Sequence, residues 1–284
     1  FQKFLSDYSV GKTPNPDVLC NKKIKFDAFK IAAKELGADY IATGHYAKIQ
    51  NKNGQIELLK AEDKKKDQTY FLHTLTQGQL SKVLFPIGGM TKSEVRAIAK
   101  SHGLENSEKK DSTGICFIGK RPFQQFLSKY IPSTPGMILD DEGNKIGEHP
   151  GAVYFTIGQR KGLNLGGLIG KSSLPWFVAS KNVKNNIVTV VQGRNHPALF
   201  SSNLLASDFH WIPDIKPVFP FTCTAKVRYQ QDEQICEIRK KPGDRLIRVN
   251  FKEPQWAITP GQSIVFYKGS LCLGGAVIED KEKI

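Results

Sequence analysis

Ala38-Asp39-Tyr40-Ile41-Ala42-Thr43-Gly44-His45-Tyr46 is a short apolar run that ends in a glycine and a histidine. It reads as a buried strand over residues 38–43. Just upstream, Phe26, Phe29, Ala32, Ala33 and Leu36 recur at helical spacing, and Gly37 stands where a helix closes on a left-handed residue. A helix feeding a buried strand predicts an α/β layer. Open α/β sheets place ligands just beyond the carboxyl ends of their strands, where Gly44 and His45 fall. A glycine there lets a flat ligand approach the backbone. His45 is equally readable as a loop histidine bonded to backbone.

Further upstream lies Thr13-Pro14-Asn15-Pro16-Asp17-Val18-Leu19-Cys20-Asn21. Two prolines bracket Asn15, which predicts a stiff, extended loop that delivers Asp17 and Cys20 to one place. A carboxylate three residues before a thiol can accept a proton beside a sulfur nucleophile. The alternative is a proline-rich turn with a buried structural cysteine. A second cysteine-bearing stretch is Lys109-Lys110-Asp111-Ser112-Thr113-Gly114-Ile115-Cys116-Phe117-Ile118-Gly119. Flanking lysines would favour a Cys116 thiolate. A buried strand cysteine between Ile115 and Phe117 fits as well.

The rest of the first part keeps the mixed character. Asn53-Gly54 predicts a hairpin. Lys64-Lys65-Lys66-Asp67-Gln68 is either a solvated loop or a contact to nucleic-acid phosphate, with Gln68 able to read a base edge. Thr91-Lys92-Ser93-Glu94 is a capping box that opens a helix to about His102, with Val95, Ile98 and Ala99 as its inner face. Residues 121–130 read as one more helix. After Pro132, short β runs follow, among them 137–139, 152–157, 176–180 and 187–192. From about His196 the chain turns all-β, with alternating runs at 221–229, 234–239, 245–251, 263–267 and 271–278. Such a set predicts a small antiparallel barrel. Arg228-Tyr229 and Gly261-Gln262 sit where such barrels hold polynucleotide, or are ordinary barrel surface. The expected division is 1–122 for the α/β part, 123–189 for a small linking domain, which could also take in 84–105, and 190–284 for the barrel.

The 284 residues are enough for two or three domains. No apolar run approaches a membrane span, and the start does not read as a signal peptide. The five cysteines are scattered at 20, 116, 223, 236 and 272. That pattern favours a reducing cytosol over a disulfide scaffold, and it offers no zinc spacing. The net charge is +14, split as +8, +3 and +3 at residues 122 and 189. A nucleic-acid partner explains such a general excess.

Taken in order, five stretches resemble the motifs of the tRNA-specific 2-thiouridylases. They are residues 13–21, Ala42-Thr43-Gly44-His45-Tyr46, Lys66-Asp67-Gln68-Thr69-Tyr70-Phe71-Leu72, residues 111–119, and Phe155-Thr156-Ile157-Gly158-Gln159-Arg160-Lys161-Gly162-Leu163. The resemblance implies a pyrophosphatase-loop α/β domain of the adenine nucleotide alpha-hydrolase type, a small mixed linking domain and a C-terminal antiparallel β-barrel. It implies ATP-dependent replacement of the C2 oxygen of the wobble uridine of tRNA by sulfur, through adenylation of that oxygen. Cys20 resembles the nucleophile, Cys116 the persulfide carrier and Asp17 the acid/base group. Asn15, Pro16 and Asp17 would line the target base, and Gly44 would contact ATP. His45, Lys66, Asp67, Gln68, Arg228, Tyr229 and Gln262 would contact the anticodon arm of tRNA. A transient Cys20–Cys116 disulfide, Mg2+ with the ATP, and a persulfide donor such as a cysteine desulfurase or sulfur-relay protein are also implied. So is a cytoplasmic protein, with a monomer as the default.

Family members open with a strand and a Ser-Gly-Gly-x-Asp-Ser loop that holds the ATP phosphates. No such sequence occurs here, so the ATP-loop segment is expected to be missing and this fragment alone is not expected to adenylate. No metal ligand is expected in it. Two other readings remain: another pyrophosphatase-loop ligase acting on tRNA, which needs no pair of thiols, and a non-catalytic tRNA-binding module.

Overall fold

The computed structural model describes residues 1–108, 122–166, 172–214 and 216–281. Helix α1 (Gln2–Ser9) buries Phe4 and Tyr8, one turn apart, against the central part of the chain rather than against its own neighbours. Their rings lie 4.9 Å apart, and Tyr8 meets Phe123 at 5.3 Å.

Residues 13–21 depart from the expected loop. Pro16 opens helix α2 (Pro16–Cys20), with Asn15 as its N-cap. Proline is tolerated at the first helical position because the missing N–H would have no partner there. The chain runs on without a break through a π-helix, Asn21–Ala28, into α3 (Phe29–Glu35). The π segment adds a residue per turn and rotates the apolar face out of phase. Phe26 is therefore fully buried while Phe29 and Leu36, expected on the same inner face, are exposed. Gly37 closes α3 as anticipated, at φ +83°, with the Ala38 N–H donating to the Ala33 carbonyl and the Gly37 N–H to that of Lys34.

Strand β1 (Ile41–Ala42) falls within the predicted run. The hairpin β2 (Ala47–Lys52) and β3 (Gln55–Lys60) turns on Asn53 and Gly54, both at positive φ. A 3-10 turn, Thr69–Phe71, and α4 (Gln77–Leu80) follow, and β4 (Val83–Leu84) pairs in parallel with β1. The Thr91–Glu94 capping box is present at α5 (Lys92–Ser101), but the helix buries none of its residues; Ile98, expected inside, is exposed.

The central part begins with α6 (Phe123–Leu127). It continues as a sheet of β5 (Gly136–Leu139), β6 (Lys145–His149), β7 (Trp176–Asn182) and β8 (Ile187–Gln192), in the order β6-β5-β8-β7. The expected run at 152–157 is not a strand. A 3-10 turn, Ala152–Tyr154, stands there, entered through Gly151 at φ +149°.

Six antiparallel strands then close a barrel: β9 (Phe200–Trp211), β10 (Phe221–Lys226), β11 (Gln234–Arg239), β12 (Ile247–Trp256), β13 (Ser263–Lys268) and β14 (Leu271–Lys281). Pairing of β13 with β14 completes the ring. Strand β13 is buried on both faces. Ile264 and Phe266 point into the barrel core, while Val265 and Tyr267 join Phe26, Leu58, Tyr70, Leu72 and Leu75 of the first part. The β2–β3 hairpin extends the barrel sheet, with Leu59 opposite Leu271 on β14. Among the described residues, no helix is long and apolar enough to cross a membrane.

Candidate functional site

The site is built outward from α2. The Asn15 side-chain oxygen accepts from the N–H groups of Asp17 (3.2 Å) and Val18 (3.4 Å), which fixes where the helix starts. Asp17 and Cys20, three residues apart, thereby share one helix face. Cys20 is half-buried and free. Burial pushes the Asp17 carboxyl above the usual carboxylate range, against a smaller opposing pull from the Lys25 ammonium.

The loop ahead of α2 is clamped to the barrel. The Thr13 N–H donates to the Pro260 carbonyl at 2.8 Å, and the Gln262 amide donates to the Thr13 carbonyl at 2.7 Å. Gly261, at φ +91°, makes room: a Cβ there would stand 2.7 Å from the Thr13 nitrogen. Lys12 pairs with Glu279 of β14 at 2.5 Å.

Behind α2, His45 is buried between Phe26 and Phe85, with its Nδ1 2.8 Å from the Thr43 hydroxyl. Burial, and to a lesser degree Lys25, push its pKa down to about 4, so the imidazole is neutral at pH 7. Next to it, Gly44 is exposed at the end of β1, and a Cβ there would meet nothing within 4 Å. Asn21 is buried, and its amide donates to the Phe71 carbonyl at 3.1 Å. That holds the turn bearing Phe71 against the helix. The half-buried rings of Phe71 and Tyr229 meet at 4.4 Å and form an aromatic ledge beside α2.

The other sequence-nominated residues are largely engaged within the protein. Asp67 is buried and accepts from the Ala61 N–H (3.0 Å) and the Thr69 hydroxyl (2.7 Å). Burial raises its pKa despite those bonds. Gln68 grips Tyr46 twice, its side chain accepting from the Tyr46 N–H and its own N–H donating to the Tyr46 carbonyl. Arg228 donates through Nη2 to the carbonyls of Ile157 (2.6 Å) and Ala257 (3.0 Å) and to the Thr259 hydroxyl (2.8 Å). Lys66 is half-buried on the loop before Asp67. Cys116 lies outside the described residues.

Lys25 escaped the sequence reading. It bears electrostatically on both Asp17 and His45, a placement set by the π-helical register after Cys20. The signal available was the run Lys22-Lys23-Ile24-Lys25 directly behind the cysteine.

Three family models match in chain order. The tRNA methyl transferase HUP domain covers residues 1–120, the tRNA methyl transferase PRC-barrel domain 124–192, and the aminomethyltransferase beta-barrel domain 201–278. The chain is 53% identical over 280 residues to the tRNA-specific 2-thiouridylase MnmA of Nitrosomonas eutropha, which covers 99% of this chain and 77% of that protein. The proteins of the same name from Methylobacillus flagellatus (53%) and Francisella tularensis (52%) each match 98% of this chain over 77% of their own length. The chain belongs to the tRNA-specific 2-thiouridylase family. For a member of that family the architecture is the expected one: an α/β HUP unit, a PRC-barrel unit and a C-terminal antiparallel barrel. The fold also explains why α2 and the barrel meet, since the loop at Thr13 is shared between them.

Proposed function

We propose that the intact protein carrying this chain is a tRNA-uridine 2-sulfurtransferase that replaces the C2 oxygen of the wobble uridine (U34) by sulfur in an ATP-dependent reaction, and that these 284 residues alone do not adenylate. The observation that carries this reading is the Asp17–Cys20 pair on one turn of a helix capped by Asn15, in a chain whose relatives are named 2-thiouridylases.

ATP, when bound, supplies the AMP that turns the C2 oxygen into a leaving group. Gly44 suits such a ligand, because open space lies beyond it at the end of a parallel strand. Mg2+ would accompany the ATP. Among the described residues no cluster of three or more His, Cys, Asp or Glu is suited to a metal, so no Mg2+ ligand is assigned.

Asn15, Pro16 and Asp17 line the space taken by the extruded base. Asp17, its pKa raised by burial, moves the proton that sulfur transfer requires. Cys116 carries the transferable sulfur as a persulfide received from a donor protein. Either the terminal sulfur of the Cys116 persulfide attacks C2 and the Cys20 thiolate then cleaves the sulfur–sulfur bond at Sγ of Cys116, or Cys20 attacks Sγ first and the released hydrosulfide attacks C2. In both, the bond from C2 to its oxygen breaks and AMP departs with that oxygen. The cysteines end as a disulfide, which a thiol reductant returns to the starting state. Forming that bond brings the two Cα atoms within about 7 Å.

Lys66, Gln68 and the Phe71–Tyr229 ledge border the surface offered to the anticodon arm. His45, Asp67, Arg228 and Gln262 shape that surface through the bonds they make behind it. The reading includes a cytoplasmic monomer as the working form.

The test is mass spectrometry of tRNA nucleosides from cells whose only copy of the protein is Cys116→Ser or Cys20→Ser. Loss of 2-thiouridine is expected for both. Wild-type levels with Cys116→Ser would sink the persulfide role. Another modified uridine in place of 2-thiouridine in the wild type would point to a different ligase chemistry.

A further inference from the structure

Leu205 of β9 and Arg248 of β12 stand opposite each other in the barrel ladder, and both line two separate cavities. The first, of about 790 Å³, opens where the end of α1, strand β7 and the barrel meet. Lys12, Lys181 and Lys281 stand in its wall, facing Glu279 and Asp280. The second, of about 860 Å³, lies at one end of the barrel, with Arg239, Lys240, Lys241 and Arg245 around a single acid, Asp244. The two cavities share Leu205 and Arg248 and so adjoin as a trough along the β9–β12 face.

The far end of the trough is rigidly built. In Lys241-Pro242-Gly243-Asp244 the Asp244 N–H donates to the Lys241 carbonyl at 3.1 Å, and Gly243 sits at φ +82°. Proline second and a left-handed glycine third make a type II turn, which few other sequences adopt without strain. It holds Lys241 and Arg245 at a set spacing. Both are exposed, and among the described residues neither they nor Lys240 make an ion pair, whereas Arg239 is held by Glu237. Phe219, Pro220 and Leu246 give this end an apolar floor.

At the near end the lysines are engaged, Lys12 with Glu279, Lys181 with the Phe155 carbonyl and Lys281 with the Ala198 carbonyl. The cations open to a ligand are Lys240, Lys241 and Arg245 at the far end, and three of them along one exposed surface suit a chain of repeated negative charges better than one compact anion. One end of the trough begins at Lys12, whose neighbour Thr13 anchors the loop that opens the candidate site. The other end lies across the barrel from Arg228 and Tyr229. They follow the last residue of β10, whereas Phe219 and Pro220 precede its first. A six-residue strand spans about 20 Å, so the trough reaches well past any loop held at Tyr229.

We propose that this trough binds the phosphodiester backbone of the tRNA stem beyond the anticodon loop. The choice of RNA rests on the function proposed above; the trough itself does not.

The test compares this protein with its Lys240→Ala/Lys241→Ala/Arg245→Ala variant, binding either unmodified whole tRNA or an oligonucleotide of the anticodon stem-loop alone. Loss of about three phosphate contacts should weaken whole-tRNA binding by about tenfold or more and flatten the slope of log affinity against log salt by about 2 to 3. Stem-loop binding should hold within about twofold, because those contacts lie elsewhere. An unchanged thermal midpoint verifies the fold, and Arg245→Glu alone gives a second, less invasive variant. Unchanged tRNA binding overturns the proposal, as does equal loss with the stem-loop. Polyglutamate displacing tRNA from the wild type but not from the variant would assign the trough to an acidic protein and also overturn it. A full-length wild type that binds tRNA through these residues yet forms no 2-thiouridine would refute the sulfurtransferase reading and leave the trough standing.

Discussion

The side-chain amide of Gln262, in the loop before β13, donates to the backbone carbonyl of Thr13 at 2.7 Å, two residues ahead of the Asn15 cap. The helix that carries Asp17 and Cys20 is therefore positioned from the barrel as well as from its own α/β unit. With the Thr13 N–H bonded to Pro260, both backbone polar groups of one residue are committed to a single barrel loop.

Replacing Gly261 with alanine should disturb that clamp. The new Cβ would stand 2.7 Å from the Thr13 nitrogen, at a φ of +91°. A loss of about 2 kcal/mol is expected from strain and displacement together. Urea unfolding measures it, and Gln262→Ala, which adds no bulk, should cost less stability while still lowering thiolation.

Arg228 carries a different expectation from that of a surface RNA contact. Of its three short bonds, one reaches the Ile157 carbonyl of the central unit and two hold Ala257 and Thr259 just after β12. Arg228→Ala should destabilise by about 3 kcal/mol, because two carbonyls and a hydroxyl lose their donor. Arg228→Lys should recover only part of this, since an ammonium cannot reproduce the fork of a guanidinium. Equal stability of all three proteins in denaturant titration would contradict the anchoring role.

Two buried histidines set a pH dependence. Burial holds His45 and His73 near a pKa of about 4, below the 6.5 of the unfolded chain. Between those values the unfolded state takes up protons that the folded state refuses, so stability is full above pH 6.5 and falls as pH drops towards 4. Each group can contribute about 3 kcal/mol across that window. Asp67 works the other way, since its pKa is raised and its ionisation above about 3.8 costs the folded state. Denaturant midpoints from pH 7 to pH 4 should decline, and His73→Gln should flatten the decline by close to one proton.

Asn15→Ala removes the cap of α2 and should cost about 1 kcal/mol. Asn15→Asp or Asn15→Ser, which keep an oxygen acceptor, should restore most of it. If the cap also places Asp17, thiolation should fall in the alanine variant by more than the stability loss accounts for at working temperature. Nucleoside mass spectrometry beside thermal melts separates the two effects.

Features governed by neighbours in sequence were readable from it. Gly37 as helix stop, the capping box at Thr91, the Asn53-Gly54 hairpin and the alternating barrel strands each follow from a rule spanning a few residues. Other features depend on distant partners. Whether Pro16 breaks a helix or begins one turned on Asn15 finding two N–H groups. The π-helical register, which buries Phe26 and brings Lys25 towards Asp17 and His45, has no compositional signature. Of the candidate site, residue types alone nominated Asp17 with Cys20 and Gly44 with His45, and the structure places the first pair on one helix face and the second at the end of β1. That Asp67, Gln68 and Arg228 would spend their polar atoms inside the protein was not legible, because those partners lie on other elements or on turns the sequence does not fix.

The pairing of Leu59 with Leu271, reinforced by the Lys60 N–H donating to the Ser270 carbonyl at 2.9 Å, stitches the β2–β3 hairpin onto the barrel wall by main-chain bonds. A hinge along that seam would have to break these main-chain bonds. Whatever rearrangement admits a macromolecule to the pocket has to leave this weld intact.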